Sequence, residues 1–528
     1  MGLIVTKQRL KKQTDFLKFK ALYGNPLVRK AVAYAVERGK DGRLRLERIL
    51  DQIASGDGRP RGLNIKDRIV RKVVDIAMKG IGIETEEQAR FYASHPNIRR
   101  TVMNALLGAH KFGVRFPFIF YAPLMIVWNI TWRCNLRCKH CYENAGPLRD
   151  KSLTWDEMTT EEKLAFVDEV ADSYIPALSF SGGEPLACPD FWEVVEHARE
   201  RGLYLSMNSN GTLITPEVAR RLKELDFAYV AISLDAPGPE VHDDFRSIPG
   251  AWRRTVEGIK NCVEAGLTTV ISFTITSLNH QYLEDMMRLT EELGAYRLMV
   301  YNIIPVGRAG YELDLTPEQR EEALRKMYDY LARGGSLCTT APQLGRLCKM
   351  GEHPDLVPIA HLGTGKAKDL SIIADLVGGC GVARAYMAVQ PNGDMTPCVY
   401  IPDVILGNVK RDRILDVWHN HPFMKDLRDR STYWGHCAVC DFKEVCGGCR
   451  ARALHYFGDP KGPDPGCILN RKFYYEVAPK VGAPLGEAEP EREAAKAANR
   501  GSGREPSRTA RFRPHLAPRH TFRLDWQN

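Results

Sequence analysis

Between Pro123 and Pro305 short apolar or β-branched runs alternate with helical stretches, and no other feature constrains the fold as tightly. The runs are Leu124–Ile130, Ala177–Phe180, Tyr204–Met207, Tyr229–Ser233, Val270–Thr274 and Leu298–Ile304; helices are predicted near Thr160–Asp172, Asp190–Arg201, Pro216–Glu224, Trp252–Ala265 and Gln281–Leu293. Strands joined by crossover helices of this length pair in parallel. Six such units predict an α/β fold, a partial (β/α)6 TIM-like barrel. In parallel barrels the functional groups collect at the carboxyl ends of strands. Two motifs fall there: WRCNLRCKHCY, residues 132–142, after the first strand, and SGGE, residues 181–184, after the second.

The first motif places Cys134, Cys138 and Cys141 at CxxxCxxC spacing. Three thiolates on one loop can ligate three irons of a 4Fe-4S cluster and leave the fourth iron open, because cysteine sulfur is the usual ligand of such clusters. A structural zinc knuckle is the rival, but zinc sites more often pair CxxC with a second pair. The triplet resembles the signature of the radical S-adenosylmethionine (radical SAM) enzymes. That resemblance implies an open iron chelating the amino and carboxylate groups of SAM, and reductive cleavage to methionine and a 5′-deoxyadenosyl radical.

Ser181-Gly-Gly-Glu184 resembles the same family's GGE element. The resemblance carries Gly182, Gly183 and Glu184 to the amino group of SAM; glycine suits a place where backbone must approach a ligand closely. Asn208-Ser-Asn-Gly211 and Ser233-Leu-Asp235, after the third and fourth runs, resemble its ribose and carboxylate contacts, which points to Asn210 and Ser233. Asp235, His242, Asp244 and Arg246 read as local loop hydrogen bonding.

Cysteine density rises again near the C-terminal end: Cys380, Cys398, Cys437, Cys440, Cys446, Cys449 and Cys467. Alone, CxxC pairs suit a zinc ribbon. Beside a radical SAM core they resemble the SPASM extension, which holds one or two auxiliary 4Fe-4S clusters. The family's interlaced pattern implies one cluster on Cys437, Cys440, Cys446 and Cys467, and another on Cys380, Cys398 and Cys449 with Cys348 as fourth ligand. The last pair is spaced CxxC where many members have CxxxC. Val399 follows Cys398 where relatives that oxidise sulfatase side chains carry an acidic residue, which disfavours that activity. The stretch 446–467 looks most like the branch that modifies haem side chains.

Fourteen cysteines in 528 residues, with too many charges in Met1 to Lys20 for a signal peptide, fit metal ligation in a reducing cytoplasm. No run reaches the length of a spanning helix; Phe116–Ile130 is broken by Pro117 and Pro123. Residues 1–48 hold thirteen basic against four acidic residues, which alone matches the net charge of +9. With Phe16, Leu17, Phe19, Leu22 and Tyr23 nearby, this segment fits peripheral contact with the inner face of a membrane, or a solvated helix face. Nucleic acid is not expected, because no recognised module accompanies the charge.

Five segments are expected: a helical, basic extension over 1–113, the barrel over 114–305, a bridge over 306–375 containing His361, the SPASM-type region over 376–480, and a disordered tail over 481–528 with Arg504, Arg508, Arg511, Arg513, Arg519 and Arg523. Helical stripes are predicted from Leu44, Leu46, Ile49, Leu50 and Ile53, and from Ile65, Ile69, Val73, Ile76 and Ala77, the second capped by Asn64. The extension lacks the strand pattern of the leader-binding module found on many peptide-modifying relatives. The resulting expectation is an oxygen-sensitive radical SAM/SPASM oxidoreductase, supplied with electrons by a donor such as ferredoxin or flavodoxin. Its substrate would be apolar or membrane-associated, a tetrapyrrole or, from the basic extension and the aromatic run Phe116–Tyr121, an isoprenoid lipid. A peptide substrate is the alternative, and a zinc-stabilised membrane-surface scaffold the non-enzymatic one.

Overall fold

The computed structural model describes residues 24–39, 41–55, 64–80, 85–146, 156–353, 356 and 378–486. Residues 1–23 of the polybasic segment, with Phe16, Leu17, Phe19, Leu22 and Tyr23, and also His361 and the arginine-rich tail lie outside the described residues.

One open sheet of ten strands organises the chain: β1 (Met125–Thr131), β2 (Ala177–Gly182), β3 (Tyr204–Ser209), β4 (Tyr229–Ser233), β5 (Thr269–Ile275), β6 (Arg297–Asn302), β7 (Leu337–Thr339), β8 (Tyr386–Val389), β9 (Asp394–Thr396) and β10 (Gly407–Asn408). Their spatial order is β10-β9-β8-β1-β2-β3-β4-β5-β6-β7. Strands β1 to β7 pair in parallel, and β8 adds to β1 in parallel, Met125 opposite Tyr386 and Trp128 opposite Val389. The parallel α/β fold expected from the alternation is present, with strand ends within two residues of those read from the apolar runs. The four further strands were not expected. β7 and β8 to β10 are only two to four residues long, too short to show a period.

All seven residues of β1 are buried, as befits a parallel strand covered on both faces. The crossover helices begin where their caps dictate. Thr159 and Glu162 form a capping box at Thr160–Asp172, Thr215 caps Pro216–Glu224, and Thr316 with Gln319 caps Pro317–Ala332.

The N-terminal helices, Pro26–Ala35, Arg45–Ser55, Ile65–Gly80, Glu86–Ser94 and Pro96–Phe112, share a separate core of Leu44, Leu46, Ile49, Leu50, Ile53, Val70 and Val74. The first predicted stripe is buried throughout. The second is displaced: Val70 and Val74 are buried while Ile65 and Ile69 are 77% and 52% exposed. On a helical wheel residues 70 and 74 lie about 100° or more from 65 and 69, so this helix carries apolar residues on two sides and periodicity alone permits either face. Asn64 does cap this helix, accepting the Asp67 N–H at 2.9 Å. The aromatic run also differs from its expectation. Phe118 and Phe120 are 2% and 5% exposed and pack with Leu124 and Ala385, so they are core and do not form a substrate or membrane face.

Asn104 joins the helical unit to the sheet. Its amide donates to Ala122 O and Tyr174 O at 3.1 Å and accepts Ala122 N–H at 3.1 Å. Asn104→Leu leaves these buried backbone groups without partners, and a loss of about 1–3 kcal/mol is expected, read as a lower unfolding midpoint. An unchanged midpoint would show that water replaces the amide.

Candidate active site

The loop after β1 carries the cysteine triplet, and the ends of three other strand units clamp it. Gly183 N–H donates to Thr131 O and Glu184 N–H to Arg133 O, both at 2.8 Å. Lys139 N–H donates to Phe245 O at 2.9 Å, and Arg308 N–H to Cys141 O at 2.9 Å. His140 stacks on Phe245 with ring centroids 4.1 Å apart and planes 3° off parallel. Two glycines permit this closeness. A Cβ at Gly183 would lie 2.1 Å from Arg133 O, and one at Gly307 2.4 Å from Cys141 O; Gly307 also has φ +68°.

Cys134, Cys138 and Cys141 line one cavity together with Gly182, Gly183, Asn210 and Ser233. Seven of the eight expected barrel residues therefore line one cavity. Glu184 is placed differently from its expected contact with SAM. Its carboxylate is fully buried and is absent from the cavity lining, because it accepts Ser209 Oγ–H at 2.8 Å and Asn210 N–H at 2.8 Å. It thus fixes the loop after β3 and, with it, Asn210, whose amide donates to Asn135 Oδ1 at 2.8 Å and accepts Thr212 N–H at 2.9 Å.

Burial pushes the Glu184 carboxyl up to about 7 from 4.5, although its hydrogen bonds with Asn210 and Ser209 pull it down. A carboxyl whose folded pKa is raised contributes stability that is full below its unfolded pKa and is lost as pH rises through the folded one. The metal-free protein is expected to lose about 3 kcal/mol between about pH 4 and 7 from this group. Glu184→Gln should flatten that slope in thermal unfolding; an equal slope in the variant would contradict the assignment.

The thiols suit iron–sulfur ligation better than a resting state as free cysteines. Burial pushes Cys134 up to about 12 and also raises Cys141. Such thiols become thiolates when a bound metal centre supplies positive charge. N–H donors already face them: Leu136 N–H lies 3.4 Å from Cys134 Sγ, and the Arg246 guanidinium 3.6 Å from Cys138 Sγ. Arg246 was read as a local loop residue. Instead it lines the cavity, neutralised by a buried ion pair with Asp235 at 2.5 Å. Its only sequence signal was its place just after the fourth strand. His242 Nδ1 accepts the Asp235 N–H, as local bonding requires, whereas Asp244 pairs with Lys139 of the triplet loop at 2.6 Å.

The C-terminal cysteines fall into two electrostatic groups. Cys446 feels Cys467 and Cys437, and Cys440 feels Cys437. Separately, Cys398 feels Cys380 and Cys449. N–H donors again face sulfur: Gly448 N to Cys446 at 3.3 Å, Arg452 N to Cys449 at 3.5 Å, and Asn470 Nδ2 to Cys437 at 3.4 Å. Cys348 is buried on helix Leu344–Met350, whose Arg346 acts on Cys440 and Cys467, members of the first group. Val399 and Tyr400, next to Cys398, line the barrel cavity with Tyr301 and Tyr386.

Residues 128–293 match the Radical SAM superfamily, and residues 380–441 match SPASM, an iron-sulfur cluster-binding domain. The chain is 32% identical over 349 residues to the AdoMet-dependent heme synthase of Methanosarcina barkeri, covering 66% of this chain and 97% of that protein. It is 32% identical over 355 residues to the mycofactocin maturase MftC of Mycobacterium tuberculosis, covering 66% of this chain and 83% of that one. The fold matches Streptococcus suis SuiB bound to S-adenosylmethionine with a TM-score of 0.56 at 17% identity, over 76% of this chain and 89% of SuiB. The chain belongs to the radical SAM superfamily: it is an enzyme that uses SAM and a 4Fe-4S cluster, and its SPASM domain carries auxiliary iron–sulfur binding.

Proposed function

We propose that this enzyme oxidises a side chain of a tetrapyrrole. The observation that carries the reading is the composition of the cavity, which the triplet thiols share with Tyr142, Tyr301, Tyr386 and Tyr400. Flat aromatic rings suit a flat conjugated ligand, and a heme synthase is among the relatives matched over nearly their whole length.

In this reading Cys134, Cys138 and Cys141 hold the SAM-binding cluster. When bound, that cluster supplies one electron to SAM, whose cleavage gives the 5′-deoxyadenosyl radical. The backbone of Gly182 and Gly183, with Asn210 and Ser233, orients SAM, while Glu184 holds the Asn210 loop in place. Cys437, Cys440, Cys446 and Cys467 are the ligands of one auxiliary cluster, and Cys380, Cys398 and Cys449 of a second. Tyr400 and Tyr142, whose rings meet edge to face at 5.3 Å, form a wall that excludes water from the reacting C–H bond. Reducing equivalents come from a ferredoxin or flavodoxin.

The similarity to a mycofactocin maturase supports a peptide as the second reading. An isoprenoid lipid reached by peripheral membrane contact rests on the basic N-terminal segment. The test compares deoxyadenosine formation by the reconstituted enzyme with an iron porphyrin bearing propionates, with a peptide pool, and with isoprenoid-lipid vesicles. The porphyrin is expected to stimulate it at least about tenfold and to lose mass by oxidation. Stimulation by peptide or lipid alone would overturn the tetrapyrrole reading.

A further inference from the structure

Two guanidinium groups line the cavity, Arg246 and Arg308, and no aspartate or glutamate does. Arg246 is balanced by Asp235 from behind the wall. Arg308 has no acidic partner within ion-pair distance among the described residues, and its Nη2 is buried without a hydrogen-bond partner there. A buried charged donor left unpaired is costly, and its presence calls for an acceptor that the protein itself does not provide.

The side chain is held, and only its far end is available. Its Nε donates to Cys138 O at 2.8 Å, and its backbone N–H donates to Cys141 O at 2.9 Å. Gly307 lets this segment sit against the triplet loop, since a Cβ there would meet Cys141 O at 2.4 Å and Tyr142 O at 2.5 Å. The guanidinium is thereby pinned to Cys138 O, and the backbone that carries it to Cys141 O, beside the triplet. Arg246, by contrast, directs a nitrogen at the Cys138 sulfur, so the two arginines divide the work: one faces a thiol of the triplet, the other lines the cavity with an Nη2 that has no acceptor among the described residues.

We propose that Arg308 anchors a carboxylate of the substrate. The inference rests on the tetrapyrrole reading, in which that carboxylate is an acidic side chain of the macrocycle, and it assigns a charged end to a ligand whose body meets Tyr142, Tyr400, Ile303 and Val399. A guanidinium suits the role because its planar fork matches both carboxylate oxygens. The same chemistry is offered by the carboxylate of SAM, and the experiment separates the two.

The reconstituted holoenzyme is titrated with mesoporphyrin and with its dimethyl ester, followed by tryptophan quenching, and with SAM by calorimetry. The wild type is expected to bind the acid about 10- to 100-fold more tightly than the ester, the range for a charge-assisted contact. Arg308→Met should remove that preference while SAM affinity stays within about threefold. Arg308→Lys, which keeps the charge, should retain at least part of the preference, and iron content reports whether either variant keeps its triplet loop. Equal binding of acid and ester by the wild type overturns the anchor and leaves the tetrapyrrole reading standing. A loss confined to SAM in Arg308→Met assigns the guanidinium to SAM and overturns the proposal. If neither porphyrin binds the wild type, the tetrapyrrole reading itself falls.

Discussion

Replacing any one of Cys134, Cys138 or Cys141 with alanine is expected to reduce 5′-deoxyadenosine formation by at least about a thousandfold, to background, because three sulfur ligands are the least that hold a site-differentiated cluster. Iron should fall by about four atoms per chain. The structure explains why no neighbour substitutes. The thiols share one cavity with no carboxylate in its lining, and the loop is fixed by backbone bonds to Phe245, Glu184 and Arg308, so it cannot shift to recruit another ligand. Alanine at Cys437 or Cys440 should leave SAM cleavage in place and reduce product. Deoxyadenosine formation by a triplet variant at the wild-type rate would remove these thiols from the reaction.

The second large effect is on stability. Arg452, Arg320, Asp314 and Asp464 are all at most 1% exposed and form one ionic network beneath the auxiliary cysteines. Asp464 accepts Cys449 N–H at 2.7 Å, Gln343 Nε2–H at 2.6 Å and Gly466 N–H at 3.0 Å, and pairs with Arg452 at 3.4 Å. Arg320 pairs with Asp314, and Arg452 donates to Ile303 O at 2.8 Å just past β6. Two cations balance two anions out of water. Asp464→Ala leaves a buried guanidinium uncompensated and frees the Cys449 loop, and a loss of about 3–5 kcal/mol is expected. Thermal unfolding of the metal-free protein measures it, and iron content measures the accompanying loss of auxiliary ligation. A change below about 1 kcal/mol would mean that water reaches the network.

The barrel was legible because its strands are buried on both faces and separated by capped helices, which leaves both periods in the sequence. Thr160–Asp172 and Pro216–Glu224 could be read to the residue, since Thr159 and Thr215 mark their starts. The triplet and the glycines at 182 and 183 were legible because spacing itself carries their chemistry. Arg246 and Arg308 were not. Each acts through its position at a strand-unit end against the triplet loop, and an isolated arginine in sequence gives no sign of what it will face. Glu184 shows the converse: its motif places it at the end of β2, while the direction of its carboxylate depends on Ser209 and the Asn210 backbone, about 25 residues away. Short strands such as β8, which extends the barrel sheet from the SPASM side, escape because four residues cannot show a pattern against their surroundings.

The most direct test of the account is made on anaerobically reconstituted protein. Iron and sulfide are counted, SAM and a strong reductant are added, and 5′-deoxyadenosine is measured. About eight to twelve irons per chain, at four per cluster, together with deoxyadenosine that disappears in the Cys134→Ala variant, is the predicted result. Zinc in place of iron, with SAM left intact, would contradict it.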